Sequence, residues 1–270
     1  MTPALKYGSF LALALILASV AGPWMSPWDA TATDLAGRLA PPGARHWLGT
    51  DELGRDILAR ILEGGRTTLA TAILVAGFAG PFGLFIGTLS GLAGGWTDAI
   101  LMRLADIGLA FPRLILALAL AAALGPGLFN AALAVALTAW PAYARLARAE
   151  TLRIKSSDFI AAGRLAGAGA GRLVFVHAMP LGVSTMLVRM SLDLAGIVLT
   201  VAGLGFLGLG APPPAPEWGQ MVASGRKYLL DQWWVACFPG LAILMAALAF
   251  NLLGEGLRDA LDPRRVRHAA

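Results

Sequence analysis

The chain is short of nearly everything from which an aqueous active site is built. Only 16 acidic and 21 basic residues stand among 270, with three histidines and one cysteine, while 57% of the residues are hydrophobic. So few charges and a positive mean hydropathy of +0.71 exclude a soluble domain and point to a polytopic membrane protein. With Cys237 alone, neither an intrachain disulfide nor a cysteine metal cluster can form. The lysines Lys6, Lys155 and Lys227 follow no glycine-rich loop, and Lys155-Ser156 is preceded by Ile154. A P-loop of the form GxxxxGK[ST] is therefore missing, and energy for uphill movement has to come from another subunit or an ion gradient. The pI near 10 does not point to nucleic acid. The basic residues cluster beside apolar runs, where such a bias reports orientation and contact with anionic lipid.

What is present is a series of apolar runs, enough at ~20 residues each for about six membrane helices. The expected spans are near 5–25, 68–91, 101–124, 128–146, 179–206 and 234–253. Lys6 followed by the run from Phe10 to Ala21 has the form of a secretory signal, but equally apolar runs follow, so the first span is read as a retained anchor with a cytoplasmic N-terminus. Gly125-Pro126-Gly127 forces the third and fourth spans into an antiparallel pair. Arg145, Arg148, Arg153, Lys155, Arg164 and Arg172 mark the loop after the fourth span as cytoplasmic, as do Arg258, Arg264, Arg265 and Arg267 at the C-terminus. The segment from Pro27 to Arg66 then falls outside although it carries Arg38, Arg45, Arg55, Arg60 and Arg66. Those arginines are mixed with Asp29, Asp34, Asp51, Glu52, Asp56 and Glu63.

Within the second span Gly83, Gly87 and Gly91 form a doubled GxxxG pattern with Gly80 ahead of it, a stripe on which another helix can approach closely. Pro81 is expected to bend that helix. Three further chemistries are weighed against the residues. Ser90 lies in a Gly-Thr-Leu-Ser-Gly turn of nucleophile type, but His46, His177 and His268 sit in loops or tails, so it lacks a base at membrane depth. Met186 and Met190 share a helix face in the manner of a packing pair, and neither they nor the scattered histidines make a metal site. Arg189 and Asp193, one turn apart on the fifth span, are a pathway or structural ion pair, and Arg103, Asp106 and Arg113 lie near the start of the third. An ion-coupled secondary transporter would have to work through that pair.

The most informative stretch is Asp158–Pro180, a basic, glycine-punctuated segment between apolar spans. Residues Phe159–Leu165 are expected to form a short helix, Gly167–Gly171 to release the chain, and Pro180 to start the next membrane helix. A short helix with a glycine break behind it has the shape needed to receive force from a soluble partner.

From His46 to Pro263 the chain resembles the inner-membrane permease subunits of binding-protein-dependent ABC importers of the dipeptide, oligopeptide and nickel class. The resemblance is carried by Leu48-Gly49-Thr50-Asp51-Glu52-Leu53-Gly54-Arg55-Asp56, by Trp140-Pro141 with Tyr143-Ala144-Arg145, and by Gly205-Phe206-Leu207-Gly208-Leu209-Gly210. Glu217-Trp218-Gly219, Asn251-Leu252-Leu253-Gly254 and Leu257-Arg258-Asp259-Ala260-Leu261-Asp262-Pro263 complete it. The stretch from Asp158 is similar to the family's EAA loop: Ala161-Ala162-Gly163 stands for EAA, Gly167 for its glycine, and His177-Ala178-Met179-Pro180 for its ending. Ala161 replaces the signature glutamate, which leaves Asp158, Arg164 and Arg172 as the polar anchors of the loop.

The resemblance implies an all-α membrane protein of the type I ABC importer permease kind. One permease domain would cover residues 1–270: a first span and outer loop (1–66), core spans (67–255) with the coupling loop 147–180, and a cytoplasmic tail (256–270). It implies a bacterial inner-membrane location, a second permease, two ATP-binding cassette ATPases that dock on Asp158, Phe159, Ala161, Ala162, Gly163, Arg164, Gly167, Arg172 and Pro180, and a periplasmic or lipid-anchored solute-binding protein. No catalysis and no cofactor are expected in this chain. The Pro-rich segment 210–216 with Trp218, Tyr228, Trp233 and Trp234 is expected to anchor at the outer interface and to receive the binding protein. Small peptides are the first expectation for cargo, with nickel or a nickel chelate second.

Overall fold

The computed structural model describes residues 3–261. The tail residues Asp262, Pro263, Arg264, Arg265, Arg267 and His268, which entered the topology and motif readings, lie outside the described residues. Among the described residues the chain is all helix apart from loops and one isolated bridge, Thr50 with Asp56. Helix α1 (Pro3–Met25) leads through a long folded segment to α2 (Ile57–Ala93), then α3 (Gly95–Ala110), α4 (Arg113–Leu124), α5 (Leu128–Ile154) and the short α6 (Asp158–Leu165). Next come α7 (Ala170–Phe206), α8 (Trp218–Gly225) and α9 (Trp234–Leu261).

Four of these helices, α1, α2, α7 and α9, are long and apolar enough to cross a membrane, and the α3–α4 pair makes a fifth candidate. Helix α5 has the length, 27 residues, but carries Arg145, Arg148, Glu150 and Arg153 in its last third. The six expected spans correspond to four continuous helices, the bent pair and the more polar α5, of which four, or five with the bent pair, are long and apolar enough to cross a membrane.

Several boundaries differ from those read in the sequence: α2 starts at Ile57 instead of near 68, α9 runs on to Leu261 instead of ending near 253, and the third, fourth and fifth spans are redrawn. The third span is not one helix over 101–124. It starts at Gly95 and breaks by 96° between Ala110 and Arg113, because Pro112 has no N–H and drives Phe111 to an extended backbone (φ −98°, ψ 144°). The fourth does not stop at Leu146 but runs to Ile154. Pro180 does not open the fifth span. The helix has already restarted at Ala170, and Leu173–Ala178 form a widened π turn in which the Met179 N–H donates to the Val174 carbonyl, five residues back. Such a turn just ahead of a proline absorbs the donor the ring removes.

The central pair is α2 against α5, with α7 and α9 closing round α2 and α1 lying on α9. The buried core is built from small and β-branched residues, among them Ala72, Val75, Ala134, Val135, Ile197, Val198 and Val201. Gly83, Gly87 and Gly91 set the α2–α5 distance. A Cβ on Gly83 would stand 2.5 Å from the Tyr143 Cβ, and one on Gly87 would stand 2.2 Å from the Ala144 carbonyl oxygen. With water absent as a driving force, this close backbone approach supplies the dispersion contact that holds the pair.

The segment before α2 is a folded plug. Asp51 Oδ1 accepts from the N–H groups of Leu53 and Arg55 (2.9 and 3.0 Å), and its Oδ2 accepts from Arg55 Nε at 2.7 Å with Arg60 Nε 3.5 Å away. Asp56 caps α2 through the Ala59 N–H (2.7 Å) while its other oxygen meets His46 Nδ1 at 2.9 Å. Gly54, at φ +75°, lies so close to the Asp34 carbonyl oxygen that a Cβ would come within 1.7 Å of it. Three of the five arginines of the stretch from Pro27 to Arg66 are taken up within the chain. Arg55 and Arg60 are consumed by internal ion pairs, Arg60 also donates to the Ala30 carbonyl (2.9 Å), and Arg66 donates to the Ser19 and Val20 carbonyls of α1. The outer aromatic group also divides. Trp233 is exposed, but Trp218 is fully buried and its Nε1 donates to the Ile61 carbonyl (2.9 Å), so it holds α8 on α2 instead of anchoring at an interface.

Candidate functional site

At the end of α2 remote from the plug, the chain presents the short helix α6. Ser157 precedes it in extended conformation, and its hydroxyl donates to the Ile154 carbonyl (2.7 Å), which separates α6 from α5. Ile160 and Gly163 are the residues it buries, a stripe one turn long, and at Gly163 an added Cβ would lie 3.2 Å from the His177 ring. Asp158, Phe159, Ala161, Ala162, Arg164 and Leu165 are all exposed. Leu165 is 91% exposed and Phe159, which meets the His177 ring on one side, 53%, so a helix of eight residues offers water a large apolar side chain and a charge at each end. Gly167 (φ +79°) ends the unit in a conformation open to glycine. The break is shorter than expected, because Ala170 and Gly171 already belong to α7.

Helix α6 packs on the Leu173–Ala178 turn of α7, and ahead of it the ends of α2, α3 and α5 are tied across helices. Arg148 on α5 makes a bidentate pair with Asp98 on α3 (2.6 and 2.6 Å), and Ser90 on α2 donates its hydroxyl to the same carboxylate. Lys155 Nζ donates to the Gly91 carbonyl at the end of α2 (2.9 Å), satisfying a helix terminus with a cation. Ser90, weighed above as a nucleophile, is fully buried and bonded in this knot. The sequence spacing showed none of these partners, since 50 residues separate Asp98 from Arg148. Their signal was only that each charge lay in an apolar stretch and needed a counterion.

Of the residues expected to act together, Asp158, Phe159, Ala161, Ala162, Gly163, Arg164 and Gly167 do form one projecting unit. Arg172 stands on the first turn of α7, exposed, with its carbonyl 3.1 Å from His177 Nδ1. Pro180 is about two turns further along α7 and outside the projecting unit. Gly83, Gly87 and Gly91 lie on the α2–α5 seam. Arg189 and Asp193 pair as expected, Nη2 to Oδ1 at 3.4 Å, but Asp193 also meets Arg113 of α4, Nη1 to Oδ2 at 3.6 Å. Asp106 likewise turns to Arg145 across helices (2.8 Å). Among the described residues no group of three or more His, Cys, Asp or Glu side chains is placed to hold a metal ion.

Comparison with known proteins agrees with this arrangement. Residues 83–267 match the family described as binding-protein-dependent transport system inner membrane component. The chain is 47% identical over 250 residues to the probable D,D-dipeptide transport system permease protein DdpC of Escherichia coli (strain K12), covering 93% of this chain and 84% of that one. It is 43% identical over 263 residues to the di/tripeptide transport system permease protein DppC of Pseudomonas aeruginosa, covering 95% and 87%. A dipeptide transport system permease protein, DppC of Alkalihalophilus pseudofirmus, is 38% identical over 257 residues, covering 95% and 84%. An all-helical, multi-pass membrane chain with these motifs belongs to the inner-membrane permease components of binding-protein-dependent transport systems.

Proposed function

We propose that this chain is one of two permeases forming the passage of an ATP-driven importer of small peptides, and that α6 is its point of attachment to an ATPase. The observation that carries the reading is the surface of α6: two large apolar side chains and two charges exposed on a short helix that packs on the Leu173–Ala178 turn. Exposed apolar area of that kind beside charges is what a partner's groove covers. The names of the similar proteins favour dipeptides and tripeptides as cargo over nickel chelates.

In this reading the N-terminus and the α5–α7 connection face the cytoplasm of a bacterium, and the plug and α8 face outward, where a periplasmic or lipid-anchored binding protein delivers its load. Arg164, Arg172 and Lys155 suit the cytoplasmic side. ATP binding and hydrolysis take place in the two cassette subunits, whose closure pushes α6. The rigid knot of Asp98, Arg148, Ser90 and Lys155 passes that displacement to the α2–α5 pair and alternates access to the passage. This chain makes and breaks no covalent bond.

The test is to place a charge on the exposed centre of α6 with Ala162→Asp, and separately to replace Gly167 by Leu. Both variants are expected to insert at normal levels and to lose peptide uptake while ATP hydrolysis is no longer matched to transport. Unchanged uptake at normal membrane levels would remove the assignment of α6 as the coupling element.

A further inference from the structure

A second group of polar residues meets between α4, α5 and α7, away from α6, with the Arg113 and Arg189 side chains partly open to solvent. Arg113 opens α4 immediately after the 96° bend. Arg189 and Asp193 lie past the middle of the 37-residue α7, about 30 Å along that helix from Ala170 at 1.5 Å per residue. Asp193 is the one carboxylate between two guanidiniums, at 3.6 Å from Arg113 and 3.4 Å from Arg189. The group therefore holds an excess positive charge at a depth where charges persist only beside a counterion or a water-filled path.

The details of Arg113 say what is missing. It approaches Asp193 through Nη1 alone. Its Nε and Nη2, the edge that grips a carboxylate with two parallel hydrogen bonds, are buried without a partner. Tyr143 of α5 is 0% exposed and its hydroxyl is turned toward Asp193, whose Oδ2 likewise lacks a close hydrogen bond. Arg113 Nε and Nη2, the Tyr143 hydroxyl and Asp193 Oδ2 are thus four buried polar atoms in one place without a close hydrogen bond, a costly arrangement. Below Arg189 a cleft of about 390 Å³ continues between α5, α7 and α9, lined by Ser184, Thr185, Arg189 and Arg258 with no carboxylate among its described lining residues. Arg113, Arg189 and Arg258 thus form a row of guanidiniums, the last two lining one cleft.

We propose that Arg113 and Tyr143 form a transient binding site for the terminal carboxylate of a peptide in transit. Asp193 takes its place on Arg113 when the passage is empty. The Phe111-Pro112 bend lets α4 move relative to α7, parting Arg113 from Asp193 and opening the free edge. Arg189 and then Arg258 receive the carboxylate on its way to the cleft. The inference rests on the peptide reading given above and names the chemistry by which this chain would hold such a cargo.

The experiment uses the complete transporter with its binding protein in proteoliposomes and alanyl-alanine as the probe. Arg113→Lys keeps the charge and the ion pair but removes the fork, and is expected to lower uptake roughly tenfold. The double variant Arg113→Gln/Asp193→Asn removes the pair as a unit, a change that a purely structural ion pair tolerates; it is expected to lose uptake to at least the same extent. Wild-type uptake in both variants would overturn the proposal. So would an inserted Arg113→Lys chain that no longer retains the second permease, because the free edge would then belong to a subunit interface. If the wild-type transporter moves no alanyl-alanine, the peptide reading fails and this site with it, an outcome visible before any variant is made.

Discussion

The two polar segments at opposite ends of α2 have similar composition and opposite fates. In Pro27–Arg60 the charges next to α2 turn inward, Asp51, Arg55, Asp56 and Arg60 each being less than a tenth exposed and bonded to one another or to backbone, while Asp29, Asp34, Arg38 and Arg45 stay exposed. In Lys155–Gly169 only Lys155 is held by a distant backbone group, and Asp158, Arg164, Phe159 and Leu165 face outward. Charge counts alone do not distinguish a segment that completes its own fold from one that awaits a partner. The difference lies in where each polar atom finds its hydrogen bonds.

The largest effect is expected where the plug is broken. Asp51→Ala strips two N–H groups of their acceptor and leaves Arg55 and Arg60 buried without this counterion. Removing one partner of a buried pair costs about 3–5 kcal/mol. The measurement is the thermal midpoint of the purified chain, and an unaltered midpoint would mean that the plug adds nothing to the fold. Next comes the shaft joining the two segments. Gly87→Leu puts a side chain where a Cβ alone stands 2.2 Å from the Ala144 carbonyl oxygen, and overpacking of this kind costs about 1–3 kcal/mol or more. A Gly87→Leu variant with the wild-type midpoint would show that α2 and α5 are free to separate.

Much of this architecture was legible in the sequence, and the gaps are instructive. Apolar runs located α1, α2, α7 and α9 because the bilayer length is a strong constraint, and the doubled GxxxG marked the face of α2 that meets α5. The break at Pro112 was hidden by the apolar residues on both sides of it, which read as one span to any hydropathy argument. Pro180 misled in the other direction, since a widened turn allows a helix to continue through a proline. At α6 the run Phe159–Leu165 and Gly167 were enough to place a short helix and its end. The ion pairs Arg113 with Asp193 and Asp98 with Arg148 were not legible, because pairing across helices depends on tertiary register. Glu217-Trp218-Gly219 stood out as a motif without a visible reason. The reason is steric: a Cβ on Gly219 would lie 2.0 Å from the Ala202 carbonyl oxygen, and one on Gly205 would lie 1.8 Å from Glu217 Oε2.

Glu217 sharpens the comparison through pH, with a smaller effect than the two substitutions above. It is fully buried on the plug side and caps α8, accepting from the Gly219 and Gln220 N–H groups at 2.8 and 3.0 Å. Burial raises its pKa above the ordinary 4.5, against the opposing pull of those N–H groups and of Thr68. The folded chain then holds this proton more tightly than the unfolded one. The resulting contribution to stability is complete below about 4.5 and is lost as pH rises through the folded value. The thermal midpoint of the wild type should therefore fall more between pH 4.5 and pH 7 than that of Glu217→Gln, which stays neutral throughout. Parallel profiles for the two proteins would show that the capping hydrogen bonds outweigh the desolvation.

The smallest effect on the fold is expected at α6, and that is what makes it diagnostic. Phe159→Ser with Leu165→Ser removes the two large exposed apolar side chains of a helix whose buried residues, Ile160 and Gly163, are untouched. Exposed substitutions of this kind stay within about 0.5 kcal/mol, so the thermal midpoint of the isolated chain should not move. Retention of ATPase subunits through mild-detergent purification should nevertheless fall sharply, since in the proposed assembly those side chains are covered by the partner. The reverse pattern, a lower midpoint with the ATPases still bound, would mean that α6 completes the fold of this chain just as the plug does, and the contrast between the two ends of α2 would disappear.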